Sequence, residues 1–308
     1  MRVIGFPFTI LLLFSLACSR AEVRPPDFNG DRAFSYLVQQ VAFGPRVPGS
    51  DAWKNCRAFL DNHFTKLGLA VDSQFFTFTD PYSGATKPLV NIIVHLRPGD
   101  APPSTILLVA HYDSRPRTEH NSDPARTGDS LPGANDGASG AAVLMELANL
   151  FASAPTPTNV DMLLVDGEDW GKEGDPDYYL LGARHFASSG TKDQYAFAIL
   201  LDMVGDKDQT IYREQYSERF HKPLNDLVWQ TARQLHIATF IDSVKYAIMD
   251  DHLPLNVAGI PAIDLIDFDY PHWHSERDTP DKCSPQALAN VGQVLAKIIY
   301  NPSSWPRK

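Results

Sequence analysis

Carboxylates and imidazoles recur directly after short apolar segments of this chain. His111-Tyr112-Asp113-Ser114 follows residues 105–110, Asp166-Gly167-Glu168-Asp169 follows 160–165, Asp202 closes 196–201, and Trp273-His274 lies beyond 261–266. Gly133-Ala134-Asn135-Asp136-Gly137 precedes a helical pattern that begins at Ala138. A single residue of this kind is ordinarily a cap or a solvated loop group. Four such endings together with the Asp136 turn in one chain point instead to a shared site, because these groups are costly to desolvate unless paired or bound to metal. Carboxylate oxygen and imidazole nitrogen are donors that suit zinc.

The elements that must position these endings follow from periodicity. Segments 90–96, 105–110, 160–165, 196–201 and 261–266 are short and almost continuously apolar, the pattern of strands buried on both faces. Helical patterns cover 138–151, 181–188, 224–235 and 285–299. Another runs over 51–67, with Ser50 as N-cap and Gly68 as the stop signal. Strands alternating with helices predict an α/β fold, a three-layer open sandwich with a mostly parallel central sheet flanked by helices. In such sheets the ligand site lies at the carboxyl ends of the strands, where the acids and histidines gather.

Length and composition bound the rest. The 308 residues allow one large domain or two small ones, and no repeat or composition break divides 31–302. A hydrophobic share of 44% and a charged share of 21% exclude a disordered chain, a fibrous repeat and a multi-span membrane protein. The net charge of −10 argues against a nucleic-acid partner. Three cysteines cannot build a disulfide scaffold. For Cys56 and Cys283, a bridge and two separate thiols are both open readings. At the N-terminus, Arg2 and a broken apolar run over 3–16 predict a signal peptide over 1–17. Ser15-Leu16-Ala17-Cys18 resembles a bacterial lipoprotein signal, which implies a lipid on Cys18 as the sole membrane contact and an extracytoplasmic, periplasmic or cell-surface location. Plain secretion with cleavage near Ala17 or Ala21 is the alternative. Residues 18–30 read as a tether, 31–302 as the catalytic domain and 303–308 as a tail.

The ordered set of motifs is more specific than any one of them. His111-Tyr112-Asp113-Ser114, Gly133 to Gly140, Asp166-Gly167-Glu168-Asp169 and Leu180 to His185 are followed by Leu201 to Gly205, Asp250-Asp251-His252-Leu253-Pro254 and Trp273-His274. Over about residues 35–300 this set resembles the M28 zinc aminopeptidases and their relatives, the glutaminyl-peptide cyclotransferases. The resemblance implies metal ligands at Asp136, Asp169 and His274, with Asp169 standing where Glu is usual. It implies a general acid/base at Glu168. His111 and Asp202 match the residues that hold a second metal in the di-zinc peptidases. In the cyclotransferases, which generally use one zinc, the residue matching Asp202 joins an acidic hydrogen-bond network.

Two features favour the cyclase side of this resemblance. Asp250 stands where the peptidases usually have Ser, and Trp273 matches a wall of the pocket for the substrate glutamine. The implied function is cyclisation of N-terminal glutaminyl residues of peptides or proteins to pyroglutamate with loss of ammonia. It would use Glu168, Asp202 and Asp250 and one zinc ion per chain. An aminopeptidase is the alternative, and an inactive binding module a minor one. Trp170 reads equally as a pocket wall or a covering residue. The polar segment 113–132 reads either as a loop shaping substrate access or as a surface insertion.

Overall fold

The computed structural model describes residues 24–99, 104–121, 123–126, 128–190 and 194–306. The signal segment and Cys18 lie outside them. Helix α1 (Gly30–Ala42) and α2 (Asp51–Lys66) precede an antiparallel pair, β1 (Ala70–Thr79) and β2 (Thr86–Leu96). Then come β3 (Thr105–His111), α3 (Ala138–Ser153), β4 (Asn159–Val165), α4 (Leu181–Ser188) and β5 (Tyr195–Asp202). A small second sheet pairs β6 (Ile211–Arg213) with β7 (Phe240–Val244), which lie on either side of α5 (Gln215–Gln234). The chain closes with α6 (His252–Val257), β8 (Ala262–Ile266) and α7 (Pro285–Tyr300).

The main sheet has the order β1-β2-β4-β3-β5-β8. Its inner ladders β4–β3, β3–β5 and β5–β8 are parallel, while β2 meets β4 antiparallel. Successive side chains of a strand point to opposite faces, and both faces of this sheet are covered. Ile106, Leu108 and Ala110 join the cluster that includes α3 and α7 residues such as Leu144 and Val291. Leu107 and Val109 pack with Ala183 and Phe186 of α4 and Leu255 of α6. This is the three-layer arrangement expected from the near-continuous apolar strands. Among the described residues no helix is long and apolar enough to cross a membrane.

Both ends of the domain extend further than the composition suggested. Phe28 is buried, its ring lies against Gly292 of α7, and its N–H donates to Gln293 Oε1 at 3.0 Å. Asn29 caps α1 by accepting from Arg32 N at 2.9 Å. Residues 28–30, read as the end of a tether, therefore belong to the folded body. At the other end Trp305 donates to Ile298 O at 2.9 Å and packs edge-on against Phe197, so the segment read as a tail is docked at that point. Helix α5 begins nine residues before the 224 expected, at 215, because Pro223 and the non-helical His221 kink it and interrupt the periodic pattern. Cys56 and Cys283 are both buried free thiols, and the bridge reading is not met.

Candidate active site

The site forms where β3, β4, β5 and the turn into α3 end side by side. The turn that carries Asp136 is fixed before the side chain is. Gly137 has φ +98°, and a Cβ there would fall 2.5 Å from Asp113 O, so glycine is required. Asp278 accepts from the backbone N–H groups of Asn135 and Asp136 at 2.8 and 3.1 Å, and Tyr270 donates its hydroxyl to Asp278 at 2.7 Å. Burial pushes the Asp278 carboxyl up to about 7. Asn135 Oδ1 accepts from Gly205 N at 2.6 Å, and Ser139 Oγ accepts from Val204 N at 3.1 Å. These bonds stitch the start of α3 to the turn after β5. Gly140 brings α3 so close that a Cβ would lie 2.3 Å from Leu201 O. Buried Arg46 holds the neighbouring loops, donating to Tyr112 O at 2.9 Å and Gly133 O at 2.6 Å.

Around this frame the expected residues converge. His111 Nε2 lies 3.1 Å from Asp202 Oδ1 and 3.3 Å from Asp136 Oδ1, and its Nδ1 is 3.5 Å from Asp113 Oδ1. His274 Nε2 lies 3.4 Å from Asp169 Oδ1 and 3.8 Å from Asp136 Oδ2. Two groups could therefore each hold a metal ion: Asp136 with Asp169 and His274, and Asp136 with His111 and Asp202, the donor atoms of each group lying within 4.8 Å of one another. The first group fits a cation well. Asp136 Oδ2 and Asp169 Oδ2 are buried with no hydrogen-bond partner among the described residues, an expensive state for a carboxylate that a bound cation relieves.

The electrostatics follow from burial and crowding. Burial, then the charge of Asp169, raises the Asp136 carboxyl. Glu168, partly buried, is pushed well above the usual range by burial and next by Asp169. Asp250 is raised by burial, then by Asp202 and Asp251. Asp169 goes the other way: burial opposes its charge, but Arg115 and His274 hold it below the ordinary carboxylate range. For His111, burial opposes protonation, and the surrounding Asp113, Asp136 and Asp202 outweigh it.

These groups line a cavity of about 540 Å³ that holds Asp136, Glu168, Asp169, Asp202, Asp250 and His274, with Met203, Ile248, Phe268 and Trp273 as apolar walls. Trp273 stacks on the His274 ring at a centroid distance of 3.8 Å and meets Phe268 at 5.1 Å. His274 and Met203 both adopt left-handed backbone, φ +53° and +46°, which is costly for non-glycine residues and concentrates at functional sites.

Apart from Trp170, every residue singled out in the sequence as a ligand, acid/base or pocket wall lies at this cavity or, for His111, against its ligands. Trp170 does not line it; it is buried and donates to Asp80 Oδ1 at 3.0 Å. The segment 113–132 is not a surface insertion at its root, where Asp113, Ser114, Arg115 and Thr118 are buried. Sequence reasoning missed Asp278 and Arg46, whose roles run through backbone groups far along the chain, and the contact of Arg115 with Asp169.

Fold and site define an α/β three-layer sandwich with an acidic, metal-competent cavity at the strand ends, and comparison with known proteins places it. The chain belongs to peptidase family M28, whose model matches residues 91–299. A glutaminyl-peptide cyclotransferase-like protein of Bos taurus is 25% identical over 288 residues, covering 82% of this chain and 71% of that protein. Among solved structures, a glutaminyl cyclase of Bacteroides thetaiotaomicron bound to N-acetylhistamine is 33% identical with a TM-score of 0.85, covering 90% of this chain and 99% of that one. A leucine aminopeptidase precursor of the same organism is also 33% identical, with a TM-score of 0.86 and coverage of 91% and 99%.

Proposed function

We propose that this protein converts N-terminal glutaminyl residues of peptides to pyroglutamyl residues with release of ammonia, with one zinc ion held by Asp136, Asp169 and His274. The observation that carries the reading is Asp250: it lines the same cavity as Glu168 and the ligand set, and burial, then Asp202 and Asp251, raises its proton affinity. The similar glutaminyl cyclases support it.

In this reaction the substrate α-amine attacks its own side-chain γ-carbonyl carbon. The new C–N bond closes a five-membered ring, and the bond to the amide nitrogen breaks. Zinc, when bound, supplies a Lewis acid for the γ-carbonyl oxygen. Glu168 takes the proton that the α-amine loses and delivers it to the departing nitrogen, which leaves as ammonia. Its raised proton affinity suits that shuttle. Asp250, whose proton affinity is raised by burial and next by the charge of Asp202, retains a proton that it can donate to the leaving amide. Trp273, braced by His274 and Phe268, gives a flat apolar wall for the glutamine methylenes and holds the folded conformer that cyclisation needs. Because the substrate supplies its own nucleophile, the cavity has to exclude water rather than activate it.

The second donor group at His111, Asp136 and Asp202 favours another reading, a two-metal aminopeptidase in which Glu168 activates a water for attack on the first peptide bond. The two readings separate on purified protein. Ammonia release from Gln-peptides, abolished by chelator and restored by one equivalent of zinc, supports the cyclase. Hydrolysis of Leu or Ala amides that needs two equivalents, without ammonia from Gln-peptides, overturns it. We also propose, from the sequence around Cys18, that the mature protein is lipid-anchored outside the cytoplasm.

A further inference from the structure

We propose that Arg115 is a positioning residue for the metal centre: it grips the side chain and main chain of Asp169 and so holds that carboxylate toward Asp136 and His274. This rests on the zinc reading above. Arg115 is fully buried. Its Nη1 donates to Asp169 Oδ1 at 2.5 Å and to the Asp169 backbone oxygen at 3.2 Å. One guanidinium edge thus grips both the side chain and the main chain of a single residue. The same Oδ1 lies 3.4 Å from His274 Nε2, and Oδ2 is buried without a hydrogen-bond partner among the described residues, so the gripped carboxylate faces the group that also contains Asp136 and His274.

A cation beside a metal ligand would ordinarily weaken metal binding by neutralising it. Glu119 removes that conflict. It takes the other guanidinium edge in a fork, accepting from Nε at 2.7 Å and from Nη2 at 2.6 Å. Charges of +1 on Arg115 and −1 on Glu119 cancel, so Asp169 is oriented by hydrogen bonds while its negative charge stays available. The Tyr179 hydroxyl accepts from Nη2 at 2.9 Å, which completes the fan of donors in the fixed fork geometry of arginine. The same loop reaches a second ligand, since His120 N donates to His274 O at 3.1 Å, where the backbone is left-handed. The loop therefore fixes two of the three ligands from one side.

The test measures zinc affinity by competition with a chromophoric chelator, and the visible spectrum of the cobalt-substituted protein, for wild type, Arg115→Gln, Arg115→Lys and Glu119→Gln. Residues that orient metal ligands are typically worth about 10–100-fold in affinity. Arg115→Gln should lose zinc affinity in that range, with an altered cobalt spectrum. Arg115→Lys should recover part of the loss, because it keeps one donor. Glu119→Gln should weaken zinc several-fold with the cobalt spectrum little changed, because it alters charge and leaves Asp169 held. If Arg115→Gln does not fold, the other two variants decide. Folded Arg115→Lys and Glu119→Gln proteins that bind zinc within about twofold of wild type overturn the assignment, against the range expected for such residues. A wild type that binds no zinc overturns the metal reading itself and this assignment with it.

Discussion

Replacing Glu168 by Gln isolates proton transfer from everything else at this site. Gln has the shape of the protonated carboxyl that burial and Asp169 favour at this position. The main-chain contacts of the residue, Glu168 N to Asp113 Oδ1 at 3.3 Å and Leu180 N to Glu168 O at 2.8 Å, are indifferent to the substitution. Folding should therefore change by less than about 1 kcal/mol, a shift of only a few degrees in Tm for a domain of this size. Zinc content should stay near wild type, because Glu168 is outside both donor groups. The rate should not survive. General acid–base catalysis is typically worth about 10²–10⁴-fold, which is about 2.7–5.4 kcal/mol of barrier. The assay is the initial rate of ammonia release from a Gln-peptide, read beside metal analysis and thermal unfolding of the same preparation. A variant within about fivefold of wild type lies far outside the range for a proton-transfer group and refutes the assigned role. So does a slow variant that has lost its zinc, because the loss would then be one of coordination.

Three further outcomes are expected. Asp250→Ser should lose cyclisation by at least about 10²-fold with zinc retained, since a hydroxyl cannot carry the proton that burial and Asp202 favour on Asp250; rates of ammonia release near wild type would contradict this. Asp267 is buried, accepts from Thr210 N at 2.8 Å, and is pushed up to about 6, first by burial. The folded state then binds this proton more tightly than the unfolded chain, so stability falls as pH rises from about 4 to about 6, by about 3 kcal/mol for this group alone. Asp267→Asn should flatten the denaturation free energy across that window, and an unchanged slope would show that Asp267 does not titrate there. Mass spectrometry of mature protein should find Cys18 as the first residue, carrying lipid, in the membrane fraction; an intact Met1 in the cytosolic fraction would reject the anchor.

What could be read from the sequence was set by burial. Residues 105–110 and 160–165 are covered on both faces, so they run apolar throughout and their strands appear at β3 and β4 within a residue of expectation. The site was legible because its residues sit at the ends of those runs. Edge strand β1 was not, because its side chains are only half-buried and polar ones alternate with aromatics. The first half of α5 was hidden by the kink at His221 and Pro223. Arg115 lies in a stretch of polar residues, Ser114 to Asn121, where nothing distinguishes a buried guanidinium from a solvated one. Asp278 acts on Asn135 and Asp136 across 143 and 142 positions, a pairing that only the folded chain makes.

The most direct test of the central claim uses one peptide and one instrument. A peptide beginning with Gln is incubated with zinc-loaded wild-type protein, and its products are followed by mass spectrometry. The cyclase reading predicts a single product that keeps every residue, is lighter by one ammonia and is blocked at its N-terminus. A product shortened by its first residue, with free glutamine released and no loss of ammonia from the intact peptide, would contradict it and leave the aminopeptidase standing.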